Sequence, residues 1–160
     1  MKRISAVLTL TASVTFGLMG AGAADAAPSP VVLATVQDGA HPPHTPPTGT
    51  FRAIGLDGCP SGSYVDSLVS FSPDGTRVVV DEIYSCIGGA AFTARLALHI
   101  AVTAADHTQG VRGTWRIIAS DNGLAGSGAL TGRSTGCSPV GAVFAECTGG
   151  SGLIFGEIRQ

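Results

Sequence analysis

The chain has 160 residues, of which 9 are Lys or Arg and 11 are Asp or Glu, giving a formal net charge of −2. No basic block occurs, so the electrostatic footprint of a nucleic-acid-binding protein is missing. Lys2 is the only lysine, which excludes lysine Schiff-base and lysine-nucleophile chemistry from any chain that loses its first residues.

Met1-Lys2-Arg3 forms a short positive start. An apolar stretch follows from Ile4 to Met19, and small residues lead to Ala24-Asp25-Ala26-Ala27. This pattern predicts a secretory signal peptide over residues 1–26, cut after Ala26 and leaving a secreted, extracellular chain. A membrane anchor is the competing reading, but the apolar core is short and glycines and alanines stand where an anchor's flank belongs. Removing Lys2, Arg3 and Asp25 leaves seven Arg and ten acids, a formal charge of −3. No later stretch approaches spanning length, so no membrane span is expected after cleavage.

Residues 27–48 hold six of the nine prolines, including Pro42-Pro43 and Pro46-Pro47. Proline-rich, non-periodic sequence predicts a flexible arm. Val31-Val32-Leu33 interrupts it and offers a segment that docks on the domain or adds an edge strand.

Residues 49–160 read as one all-β domain. Runs are short, glycines frequent, and alternation dominates. The clearest run is Ala91 to Thr103, with Phe92, Ala94, Leu96, Leu98, Ile100 and Val102 on one face. Further strands are predicted near 50–56, 63–71, 76–86, 111–119, 127–133, 140–147 and 152–159. Ser72-Pro73-Asp74-Gly75 and Ser120-Asp121-Asn122-Gly123 supply turns between them. About eight antiparallel strands in a meander predict a small closed barrel, with a β-sandwich as the alternative.

Four cysteines, Cys59, Cys86, Cys137 and Cys147, remain in the exported chain. An even count without close pairs predicts two disulfides instead of a metal site. Cys59 and Cys86 fall at the outer ends of the hairpin that turns at Ser72 to Gly75, so Cys59–Cys86 is expected. Cys137–Cys147 then closes a short local segment.

Motifs for chemistry are sparse. Gly126-x-Gly128 followed by Gly132 misses dinucleotide-loop spacing, and strand packing explains these glycines. No nucleophile elbow and no metal-binding helix motif occur, and no motif implies a cofactor. His41 and His44 read as solvated histidines, as does His107. His99 and Arg95 share the face opposite the leucines and are expected outside. Asp81 and Glu82 point to opposite faces, so one can turn inward with Arg116 a candidate partner, but both are expected to be ordinary surface charges. Phe92, Leu96, Leu98, Ile100, Trp115 and Ile117 are expected to line a common apolar interior free of arginine and acid, suited to an apolar small molecule.

Several stretches resemble a group of small exported proteins from high-GC Gram-positive bacteria with allene oxide cyclase-like or dirigent-like β-barrels. They are Cys59-Pro60-Ser61-Gly62, Tyr84-Ser85-Cys86, Phe92-Thr93-Ala94-Arg95, Gly113-Thr114-Trp115-Arg116-Ile117 and Gly126-Ser127-Gly128-Ala129-Leu130-Thr131-Gly132. The resemblance covers roughly residues 49–133 and implies a barrel fold. It carries over no catalytic residue, because no matching acid or arginine motif is present. Three roles follow as expectations. The first is a non-catalytic barrel that binds a small molecule or a partner. The second is an isomerase- or cyclase-type enzyme acting on an apolar small molecule. The third is an envelope-associated structural protein using its proline-rich arm.

Overall fold

Eight strands run β1 (Ser29–Gln37), β2 (Thr48–Ile54), β3 (Ser61–Phe71), β4 (Arg77–Cys86), β5 (Ala91–Ile100), β6 (Gln109–Ser120), β7 (Ala125–Thr135) and β8 (Gly149–Arg159). Each pairs antiparallel with the next, and β8 pairs with β1, so the sheet closes into a barrel. This computed structural model describes residues 27–39, 46–143 and 145–159. The expected signal peptide and His41 and His44 lie outside the described residues. Among those described there is no helix, and hence none long and apolar enough to cross a membrane.

The chain forms a closed barrel, not a sandwich, but two of its segments differ from expectation. Residues 29–37, read as part of a flexible arm, are the strand that completes the barrel. Val31 and Leu33 alternate inward and are 1% and 3% exposed. β1 bonds β8 from Ser29 and β2 from Val32. Pro30 therefore sits before the β2 ladder begins, where its missing N–H costs no bond to β2. The proline composition masked a strand whose apolar alternation spans only a few residues.

Conversely, the described residues of 140–147 form no ladder. They belong to a loop closed by Cys137–Cys147, with a single bridge between Ser138 and Glu146. Gly141 takes a left-handed φ of 79°, which turns the chain out of strand geometry. The loop docks on the 101–108 connection and on the start of β6. The buried Gln109 donates from Nε2 to the Val143 carbonyl at 2.8 Å, and Thr103 Oγ1 donates to the Ala142 carbonyl at 2.9 Å.

The cysteines pair as Cys59–Cys86 and Cys137–Cys147, with Cα atoms 5.1 Å and 4.0 Å apart. Two disulfides and no free thiol among the described residues fit a non-reducing environment.

The core follows strand parity. Val78, Val80 and Tyr84 of β4, Phe92, Ala94 and Leu96 of β5, and Ile154 and Ile158 of β8 all turn inward and are buried. Trp115 needs bare backbone beside it. A Cβ at Gly128 would lie 2.8 Å from Trp115 Nε1 and would also meet the Phe155 carbonyl oxygen. Gly128→Ala should therefore destabilise by about 1–3 kcal/mol or more, as overpacking does. Gly110→Ala, where the nearest atom is 3.9 Å away, should be nearly neutral. Urea midpoints of the two variants measure the contrast.

Candidate functional site

The interior has two unlike halves. The half near Cys59–Cys86 is filled. Tyr84 stacks on Phe92 with centroids 4.7 Å apart and meets the edge of Phe51 at 5.2 Å. Leu56 and Leu124, from the connections at this end, are buried against the same cluster. Trp115 places its polar tip by donating from Nε1 to the Phe155 carbonyl at 3.0 Å. Only about 10 Å³ of free space remains among Leu33, Trp115, Leu124 and Ile158.

The other half holds a cavity of about 120 Å³. Leu96, Leu98, Val111, Leu130 and Ile154 form its apolar wall, and Tyr64 and Glu82 bring polar groups to its inner end. Gln37, Ser134 and Gly150, at strand ends, place its mouth on the side where the Cys137–Cys147 loop docks. Small residues make the room. Gly132 of β7 and Gly152 of β8 line the cavity and are cross-strand partners, so no side chain enters from that pair. At Gly49 a Cβ would sit 2.5 Å from the Tyr64 ring, so only glycine lets Tyr64 take this place.

The expected interior set divides between the halves. Phe92, Leu96 and Trp115 are buried in the core, and Leu98, Ile100 and Ile117 pack partly buried against it. Leu96 and Leu98 line the cavity, whereas Phe92, Trp115 and Ile117 surround the filled half. The expectation that no acid lies on this face is corrected. Glu82 shares the parity of Val78, Val80 and Tyr84, and its Oε2 accepts a hydrogen bond from the Tyr84 hydroxyl. Asp66 of β3 is its cross-strand partner. Asp66 Oδ1 is buried and has no hydrogen-bond partner.

Burial decides the ionisation of these groups. It pushes the Glu82 carboxyl up to about 7, with the Tyr84 hydroxyl pulling the other way. It pushes Asp66 up to about 8, helped by the nearby charge of Glu82. The phenols of Tyr64 and Tyr84 are raised by burial first and by Glu82 and Asp66 next. Low local dielectric penalises each charged form.

Glu82 is thus the inward member of the Asp81-Glu82 pair, and its partner is Tyr84, not an arginine. Asp81 lies on the outer side, where Arg95 grips it through Nε at 2.6 Å and Nη2 at 2.7 Å. The Arg95 hydrogen bond holds the Asp81 carboxyl below the usual range, with Arg116 adding a smaller pull. A β-bulge at Ser67 accompanies this register, and Ser67 Oγ donates to the Asp81 carbonyl at 2.9 Å. His99 is exposed on the outside, opposite Arg77 and Arg112 on the neighbouring strands. His107 is also exposed, with Nδ1 2.9 Å from the Cys137 carbonyl oxygen.

Chemically the cavity can take a small molecule, covering an apolar body with leucines and meeting a polar group with Glu82 and Tyr64. Among the described residues, no group of three His, Cys, Asp or Glu side chains could hold a metal ion. No protein-family model matches the chain, and no curated protein or solved structure matches it either.

Proposed function

We propose that the chain is exported, loses residues 1–26, and acts outside the cell as a non-catalytic barrel that binds a small molecule. The observation that carries this reading is the half-filled interior. A space of about 120 Å³ has Leu96, Leu98, Val111, Leu130 and Ile154 on its wall and the polar groups of Tyr64 and Glu82 at its inner end. A dry apolar cavity of about 150 Å³ accepts benzene, so the ligand's enclosed part is about one ring, and anything larger projects through the mouth. The disulfides suit a protein that must last outside the cell. The closed eight-stranded barrel is the architecture implied by the resemblance to allene oxide cyclase-like and dirigent-like proteins, and it supports reading the chain as one of that group.

Calorimetric titration with benzyl alcohol tests the reading. The native chain should bind it, and Val111→Phe, which fills the cavity from its wall, should weaken binding by roughly tenfold or more, a change of about 1.4 kcal/mol. Equal affinity in the two chains would place the alcohol elsewhere.

A second reading, proton-transfer catalysis of isomerase or cyclase type, has Glu82 in its favour. A carboxyl that titrates near 7 suits a general acid or base. It would require that a bound compound be released chemically changed. Recovery of unaltered compound after prolonged incubation supports the binding role.

A further inference from the structure

We propose that the cavity's ligand is a small organic amine, bound as its ammonium ion against Glu82 at the inner end of the cavity; the proposal rests on the cavity being a binding site. Glu82 has one oxygen engaged by Tyr84, and Asp66 lies directly across the ladder with a buried oxygen that nothing satisfies. Once ionised, two carboxyls at this depth call for a countercharge, and the described part of the chain brings none inside. Arg95 is held outside by Asp81. Arg133 lines the cavity on the side of its mouth, its side chain 65% exposed and 3.7 Å from Asp106. Arg52, Arg77, Arg112, Arg116 and Arg159 are exposed on the outer surface, as are His99 and His107. The missing cation is therefore one that enters through the mouth.

The remaining surroundings favour an ammonium ion on an apolar body over a bare metal ion. Leu96, Leu98, Val111, Leu130 and Ile154 give a ring or short alkyl chain broad contact beside Glu82, whereas among the described residues no group of three His, Cys, Asp or Glu side chains could hold a metal ion. The Tyr64 ring lines the same space and adds attraction for a cation placed near its face. A neutral alcohol can also donate to Glu82, but it gains no charge pairing.

The groups facing Glu82 fix the pH dependence. From β3 come Tyr64 and Asp66, from its own strand Tyr84, while β5 presents Ala94 and Leu96. Asp38 acts on Tyr64 only. None of these is a cation, so the empty pair keeps protons near neutrality, and an ammonium ion must displace one to bind. Amine affinity should rise with pH until the carboxyls are ionised.

Benzylamine and benzyl alcohol, matched in shape, make the test. In titrations at about pH 8.5 the amine should bind the native chain at least roughly tenfold more tightly than the alcohol, and at about pH 5.5 that preference should shrink severalfold. Glu82→Gln should abolish the preference while the alcohol still binds, and Asp66→Asn should reduce it. If Glu82→Gln does not fold, the pH dependence in the native chain and the Asp66→Asn variant decide. An alcohol that binds as tightly as the amine at the higher pH overturns the proposal and leaves the binding role standing, as does a preference that survives in Glu82→Gln. Failure of both compounds to bind overturns the proposal and the binding role together.

Discussion

A chain that begins at Pro47 should lose cooperative folding, or melt at least about 10 °C below the chain that begins at Ala27. Such a truncation removes β1 entirely. Val31 and Leu33 leave the core, and burial of each is worth about 1.5–3 kcal/mol. Together they represent a large part of the roughly 5–15 kcal/mol that holds a domain folded. The truncation also strips the ladder partners of β2 and β8 and turns two interior strands into edges. Thermal unfolding followed by circular dichroism measures the effect. An unchanged midpoint would mean that β1 is dispensable, as its proline-rich setting first implied.

Stability should fall as pH rises from about 5 to about 9, and the acid pair should be the cause. In the folded chain Asp66 titrates at about 8 instead of 3.8 and Glu82 at about 7 instead of 4.5. Between those limits the folded state keeps protons that the unfolded chain has released. Their contribution is fully present below about pH 4 and is lost as pH climbs through 7 to 8. One pKa unit corresponds to about 1.4 kcal/mol, so the loss for this coupled pair is on the order of a few kcal/mol. Asp81 acts in the opposite sense. Its carboxyl is held low by Arg95, so its contribution disappears only on acidification below about pH 4. Maximum stability is thus expected on the mildly acidic side. Urea midpoints at about pH 5, 7 and 9 should decline in that order, and Asp66→Asn or Glu82→Gln should flatten the decline. A native chain equally stable at all three, or more stable at the highest, would contradict burial of these carboxyls.

What could be read in the sequence follows from how long each pattern runs. Ala91 to Thr103 alternates over enough residues that β5 and its inward leucines stand out, although the strand itself ends at Ile100. Cys59–Cys86 followed from counting outward along one hairpin, a local argument that β3 and β4 satisfy despite the bulge at Ser67. β1 was obscured because its inward pair, Val31 and Leu33, is brief and flanked by prolines. What makes it a strand is the distant pairing with β8, which no local pattern carries. Glu82 was detectable in part. It continues the parity of Val78 and Val80 toward Tyr84, so a face that reads Val, Val, Glu, Tyr already places an acid inside. Its neighbours there were not legible, because Asp66 reaches it through the β3–β4 register and the cavity exists through glycines on β7 and β8, far along the chain.

Methyl-resolved NMR during titration with benzyl alcohol reads the barrel interior directly. Shifts confined to Leu96, Leu98, Val111, Leu130 and Ile154, with Leu124 and Ile158 of the filled half unmoved, are the result expected of a binding barrel with one open end. Shifts confined to Val32, Val36 and Leu153, which are exposed on the outer face of β1 and β8, would contradict it, as would an interior that does not respond at all.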